Sequence, residues 1–208
     1  MTKTRYPIPA DRCRCEIEVN RSRFIATLEM VNSSDAAQEF ITAIKHEFAD
    51  ASHNCWAYLI GPPGSTDKLG LSDDGEPHGT AGKPLLTTLQ HSQIGDIAVV
   101  VTRYFGGIKL GKGGMVKAYT QAVQAALEQV QTAEKINWVR ISADFSYPLL
   151  EKIEQLLPEY EARILNRTFS EHVTLELKLP AENLPHCHER LVNLSAARIK
   201  ITTQEVTQ

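Results

Sequence analysis

Toward the C-terminus, apolar and polar residues trade places every second position. Val139, Ile141, Ala143, Phe145 and Tyr147 alternate with Arg140, Ser142, Asp144 and Ser146, the signature of a half-buried strand. Pro148 stands where a helix tolerates it, in the first turn. Leu149, Leu150, Ile153, Leu156 and Leu157 then form an apolar stripe. Ile164 to Phe169 reads as a weaker strand, and Val173, Leu175, Leu177 and Leu179 as a further alternating one. Pro180 starts another helical region, with Leu184, Cys187, Leu191 and Leu194 at helical spacing, and Arg198 to Thr203 closes with a strand. The order is βαββαβ, the ferredoxin-like split βαβ.

The first part of the chain is mixed. Arg23 to Val31 reads as a strand. Asp35 begins a helix, with Gln38 three residues on in a capping-box arrangement, and Phe40, Ile41, Ile44 and Phe48 form its buried face. Cys55 to Ile60 is a strand, and Pro62, Pro63 and Gly64 turn the chain. Residues 61 to 84 show little periodic signal and read as a long loop. Ile97 to Val101 is a β-branched run suited to a buried strand. Met115 to Gln131 is the clearest helix, with Met115, Val116, Tyr119, Ala122, Val123, Ala126, Leu127 and Val130 on one face. A linker falls near Thr132 to Asn137. The fold class is therefore α+β, with domains expected at residues 1–134 and 137–208.

The 208 residues, 42% hydrophobic and 23% charged, can form a core without staples. No apolar stretch is long enough for a membrane helix, and Met1 to Arg14 is polar, unlike a signal peptide. The expected protein is soluble and cytoplasmic, with no membrane role. Its four cysteines (Cys13, Cys15, Cys55, Cys187) suggest no disulfide framework. Net charge is -3, so a nucleic-acid role must come from a local patch.

Such a patch exists. All twelve glycines lie between Gly61 and Gly114. From Ile97 to Leu127 there is no acidic residue, yet Arg103, Lys109, Lys112 and Lys117 are present. Arg103-Tyr104-Phe105-Gly106-Gly107 leads through Ile108, Lys109 and Leu110 to Gly111-Lys112-Gly113-Gly114, between a strand and a helix. Glycines let backbone N–H groups approach a ligand, and a helix start adds free N–H groups and a positive dipole end. Strand, glycine loop, helix is a recurrent anion-binding arrangement. Lys117, and Lys112 if the helix starts that early, are unfavourable beside that dipole unless an anion offsets them. The plain alternative is that the glycines make tight turns and the lysines are solvated. A nucleotide phosphate loop is disfavoured, because Gly113 follows Lys112 where a Ser or Thr would bind magnesium. The dinucleotide pattern fails at Val116.

The second candidate is Ser72-Asp73-Asp74-Gly75-Glu76-Pro77-His78-Gly79-Thr80-Ala81-Gly82-Lys83-Pro84. Asp73, Asp74, Glu76, His78 and Lys83 suit a divalent-metal site or an acid–base pair; a solvated turn-rich loop is the competing reading. Cys13-x-Cys15 with His53-x-Cys55 makes a weak zinc set. His53 is a possible acid–base group, with a structural histidine at a strand start as the competing reading, and Cys187 reads as a buried thiol. No catalytic residue, metal or cofactor is assigned.

These motifs resemble the Impact family in its bacterial branch. The matching stretches are Ser22-Arg23-Phe24, His53-Asn54-Cys55-Trp56-Ala57-Tyr58, Ser72 through Pro77, Gly79 through Pro84, Arg103 through Gly107, and Leu110 through Tyr119. The resemblance implies a first domain like domain IV of elongation factor G and a second, ferredoxin-like domain like its domain V. Both folds meet ribosomal RNA, so an RNA or ribosome partner is implied. Eukaryotic relatives regulate translation by binding the activator of an amino-acid-starvation kinase, and they carry an additional N-terminal protein-binding domain. The first motif here starts at Ser22, so this chain is expected to lack it.

The leading expectation is a non-enzymatic, translation-related binding protein. Arg103, Lys109, Lys112 and Lys117 would meet phosphates, with Tyr104 or Phe105 stacking a base. The rivals are an enzyme acting on a small phosphorylated or anionic ligand through Asp73, Asp74 and Glu76, and a module that binds a protein partner.

Overall fold

A computed structural model describes residues 5–66 and 68–204. The chain divides into two compact units, Met1–Lys135 and Ile136–Gln208. The described residues of the first run β1 (Arg5–Pro9), β2 (Cys13–Val19), β3 (Ser22–Met30), α1 (Ser34–Glu47), β4 (His53–Ile60), β5 (Lys68–Ser72), α2 (Gly82–His91), β6 (Ile97–Tyr104) and α3 (Gly111–Gln129). A short β7 (Thr132–Ile136) follows and pairs with β1.

The main sheet has the order β2-β3-β6-β4-β5, antiparallel throughout. Strand β6 is central and buried on both faces, which is why its sequence is a β-branched run rather than an alternation. Ile97, Val99 and Val101 point to one side, against Leu85, Leu89, Tyr119 and Val123 of α2 and α3. Ala98 and Val100 point to the other, against Phe40, Ile41 and Ile44 of α1. The unit is thus a three-layer sandwich.

Several sequence expectations are corrected. Residues 61–84 do not form one long loop: Lys68–Ser72 pairs with β4 as an edge strand, and α2 begins at Gly82. Helix α1 is capped by Ser33, whose Oγ accepts from Ala36 N at 3.1 Å, so the cap precedes Asp35. Helix α3 starts at Gly111, four residues before Met115, which puts Gly111, Lys112, Gly113 and Gly114 inside its first turn. The segment near Thr132 is a strand rather than a free linker.

The second unit contains β8 (Trp138–Phe145), α4 (Leu150–Leu156), β9 (Arg163–Phe169), β10 (Val173–Pro180), α5 (Leu184–Leu194) and β11 (Lys200–Gln204). Its antiparallel sheet has the order β11-β8-β10-β9, the ferredoxin-like arrangement of βαββαβ. Ile141, Ala143, Phe145, Val173, Leu175, Leu177 and Leu179 face the helices and bury Ile153, Cys187 and Leu191. The molecule is α+β. No helix among the described residues is long and apolar enough to cross a membrane.

Candidate anion-binding site

Strand register brings the site together. His53 of β4 lies directly across from Arg103 of β6, and Phe24 of β3 flanks Arg103 on the other side. Alternation then turns His53, Cys55, Val101, Arg103 and Phe105 toward α3. Beyond the strand end the chain passes through Gly106 and Gly107 and enters α3. At Gly106 only glycine fits: a Cβ would lie 2.0 Å from the carbonyl oxygen of Arg21. The Gly106 N–H donates to Ser22 Oγ at 3.1 Å, and the Phe105 N–H to Ser52 Oγ at 3.2 Å.

The result is a cleft of ≈ 500 Å³ lined by His53, Glu76, Pro77, Arg103, Phe105, Lys109, Leu110, Gly111, Lys112 and Met115. A larger depression of ≈ 620 Å³ between α2 and α3 is lined by Thr87, His91, Gln124 and Glu128 among others and gathers none of these motifs.

The floor of the cleft is a hydrogen-bonded network. The Arg103 guanidinium is bound through Nη1 to Glu76 Oε1, and both side chains are buried. The same oxygen accepts from the Tyr119 hydroxyl at 2.9 Å. The Arg103 guanidinium also sits 5.5 Å from the ring centroid of Phe24 and 5.6 Å from that of Phe105. Its Nε is buried without a partner among the described residues. The thiol of Cys55 is 2.9 Å from the carbonyl oxygen of Asp73 and 3.3 Å from Tyr119 Oη. Burial pushes this thiol up to about 12, and burial likewise raises the Tyr119 phenol, so neither ionises near neutrality. His53 Nδ1 is 2.8 Å from the Asp74 carbonyl, which only accepts, so Nδ1 carries the proton. Its Nε2 stands 3.9 Å from Glu76 Oε2.

The two aspartates of the acidic loop serve the backbone instead. Asp73 Oδ1 accepts from Ala81 N and Gly82 N at 3.0 and 2.9 Å, and Oδ2 from Gly79 N at 2.8 Å. It therefore caps α2, which has no capping side chain of its own. Burial opposes its ionisation, but these three donors outweigh that and hold its carboxyl below the ordinary range. Asp74 is likewise lowered despite burial, by Lys45 Nζ at 2.5 Å and Asn54 N at 2.7 Å. Asp74 and Gly75 both have positive φ, +43° and +87°, and Glu76 N donates to Asp73 O at 2.9 Å. That is the pattern of a type I′ turn, and it swings Glu76 into the cleft.

The residues singled out in the sequence therefore separate. Arg103, Lys109, Gly111 and Lys112 converge on the cleft with Glu76. Arg103 is nevertheless buried against Glu76 rather than free to meet a phosphate. Tyr104, one position on, faces away: its hydroxyl donates to Asp50 Oδ1 at 2.8 Å and Arg23 covers its ring. Lys117 is exposed on α3 outside the cleft. Lys83 lines a separate depression with Thr87 and Val116, and His78 is fully exposed beside Asp73. Gly107 and Gly113 are open to solvent.

What remains available to a ligand is specific. Helix α3 has no capping side chain and no acid in its first turn. Among the described residues nothing accepts a hydrogen bond from Gly111 N, Lys112 N or Gly113 N. Lys109 and Lys112 are exposed and join no ion pair among the described residues, and half of the Phe105 surface is open, at 49%. The sequence reading missed Tyr119, Met115 and Leu110 as parts of the site. A tyrosine on the buried stripe of α3 was the available signal, because its hydroxyl needs a polar partner in the core.

Fold and cleft together define a two-unit α+β protein with a basic cleft beside a glycine-rich loop, closed beneath by a buried ion pair. The chain belongs to the IMPACT family. Residues 20–127 match the Impact N-terminal domain model, and residues 144–198 match a domain of unknown function (DUF1949). An IMPACT family member of Haemophilus influenzae is 38% identical, over 97% of this chain and 98% of that one. The IMPACT family member YigZ of Escherichia coli is 38% identical, over 95% and 97%. A crystal structure of a hypothetical protein matches with a TM-score of 0.67 at 37% identity, over 99% of both chains.

Proposed function

We propose that this protein is a non-enzymatic, cytoplasmic, translation-related factor that binds RNA through the cleft at the start of α3. The observation that carries the reading is one coincidence of place. The N–H groups of Gly111 and Lys112, without acceptors among the described residues, lie at the cleft that Lys109, Lys112 and the exposed ring of Phe105 line, and the Gly113 N–H follows in the same helix turn. A phosphate fits the helix start, which presents donors and a positive dipole end. A base fits the ring of Phe105, against which the Arg103 guanidinium is already placed. The buried Arg103–Glu76 pair is the support beneath this surface rather than a contact. The resemblance to a family whose eukaryotic members regulate translation supplies the setting.

The rival, an enzyme acting on a small anionic ligand, loses the two aspartates it relied on, since Asp73 and Asp74 hold backbone N–H groups. It keeps only His53 Nε2 beside a Glu76 already engaged by Arg103 and Tyr119.

The test is binding of labelled single-stranded RNA measured by anisotropy across a salt series. Lys109→Ala/Lys112→Ala is expected to weaken binding and to lower the slope of log K against log salt by about 1.4, the value for two lost contacts on a single strand. Binding and slope unchanged in that variant would remove the cleft from the reading.

A further inference from the structure

The open face of the second unit's sheet carries cations that no carboxylate neutralises among the described residues. In the register, Lys178 of β10 lies directly across from Arg140 of β8 on one side and from Arg163 of β9 on the other. Their neighbours Ile141, Leu177 and Leu179 face the helices, so alternation puts all three cations on the uncovered side. Like charges directly across neighbouring strands repel. The ion pairs of this unit join Arg167 to Glu154 and His172 to Asp144; among the described residues none reaches Arg140, Arg163 or Lys178.

An aromatic ring stands in the same place. Trp138, two positions before Arg140 on that face, has the Arg163 guanidinium 5.1 Å and the Lys178 ammonium 5.3 Å from its ring centroid. The face also holds acids, and they lie toward its other end. Glu176 is in the next register row, between Ser142 and Asn166. Asp144 is one row further and is engaged by His172 and Thr174, at 3.2 and 3.1 Å. Lys200 of β11 stands across from Asp144 in that row, so the cations and acids are mixed at that end, and the cations without acids, with the aromatic ring, gather at the Trp138 end.

We propose that Trp138, Arg140, Arg163 and Lys178 form a docking site for single-stranded RNA. Phosphates meet the row of cations, and a base packs against the indole and the guanidinium plane of Arg163. A flat open sheet with stacked planar groups suits unpaired bases. An acidic peptide would use the charges and leave the ring without a role. The site shares no residue with the cleft of the first unit and stands independently of the function proposed there.

The chain has two tryptophans, so Trp56→Phe leaves Trp138 as the reporter. Titrating that full-length protein with an adenosine decaribonucleotide at low salt is expected to quench Trp138 emission saturably. Arg140→Ala/Arg163→Ala is expected to weaken binding and lower the salt slope by about 1.4. Lys109→Ala/Lys112→Ala is expected to leave the quenching in place. Anisotropy of the labelled RNA with the protein that keeps both tryptophans checks, without the Trp56 substitution, that Arg140→Ala/Arg163→Ala weakens binding. Absence of quenching by a folded protein, equal affinity after the arginine substitutions, or quenching by polyglutamate or anionic vesicles but not by RNA would each overturn the assignment. Loss confined to the lysine variant would support the cleft and sink this site; loss confined to the arginine variant would do the reverse.

Discussion

Asp73, Asp74 and Glu76 stand within four positions of one another and meet three different environments. Asp73 holds the start of α2, Asp74 holds Lys45 and the β4 backbone, and Glu76 alone reaches the cleft. Removing the Glu76 charge while keeping its shape leaves Arg103 buried and uncompensated. Glu76→Gln is therefore expected to cost about 3 kcal/mol, read from urea unfolding. Both aspartates titrate lower in the folded state than in the unfolded chain, where an ordinary Asp titrates near ~3.9. Their contribution to stability is complete above that unfolded value and is lost as pH falls through the depressed folded values. Thermal unfolding of Asp73→Asn followed downward from pH 6 is expected to show a flatter acid limb than the native protein. The thiols of Cys55 and Cys187 are buried and pushed up, to about 12 and about 11. A thiol reagent at neutral pH is expected to label Cys15 in the folded protein, Cys13 more slowly because burial raises its thiol too, and Cys55 and Cys187 only after denaturation.

At the scale of elements, the loop before α3 and the first turn of that helix hold two kinds of glycine. A side chain at Gly106 collides with the Arg21 backbone, whereas one at Gly113 meets open space in an ordinary helical conformation. Gly106→Ala is expected to destabilise by about 3 kcal/mol. Gly113→Ala is expected to stabilise by about 0.5 kcal/mol while retaining RNA binding, since the amide stays in place. Chemical denaturation of the two variants checks both signs. Strand β6 and the long helix were legible because β-branched runs and 3.6-residue stripes depend on local sequence alone. Helix α2 was not: Gly82 and Pro84 look like breakers, and its cap comes from Asp73, nine residues earlier. Strand β2 does alternate, with Cys13, Cys15, Ile17 and Val19 toward the core, but cysteine there acts as a small apolar residue and was weighed instead as a metal ligand. Strand β5 is short and interrupted by Gly70, whose missing side chain admits the ring of Tyr58. Chain order showed a basic glycine loop and an acidic loop. Only the fold shows that the β4–β6 register and the turn after β5 together place Glu76 on Arg103.

For the molecule as a whole, a net charge of -3 sits beside two local concentrations of cations that join no ion pair among the described residues, one in each unit. Under the proposed function, acidic residues elsewhere limit nonspecific attraction to polyanions and confine binding to these patches, so affinity is expected to be modest and strongly dependent on salt. Ribosome co-sedimentation is expected to fall as salt rises and to fall further when Lys109 and Lys112 are both replaced by alanine. Under the proposed function, and whatever the partner, the free amides at the start of α3 hold a phosphate. Amide chemical shifts of the nitrogen-15-labelled protein during titration with a short single-stranded RNA test it directly. The account predicts that Gly111, Lys112 and Gly113 shift together and saturate with the binding curve. Binding that leaves those three amides unmoved would contradict it.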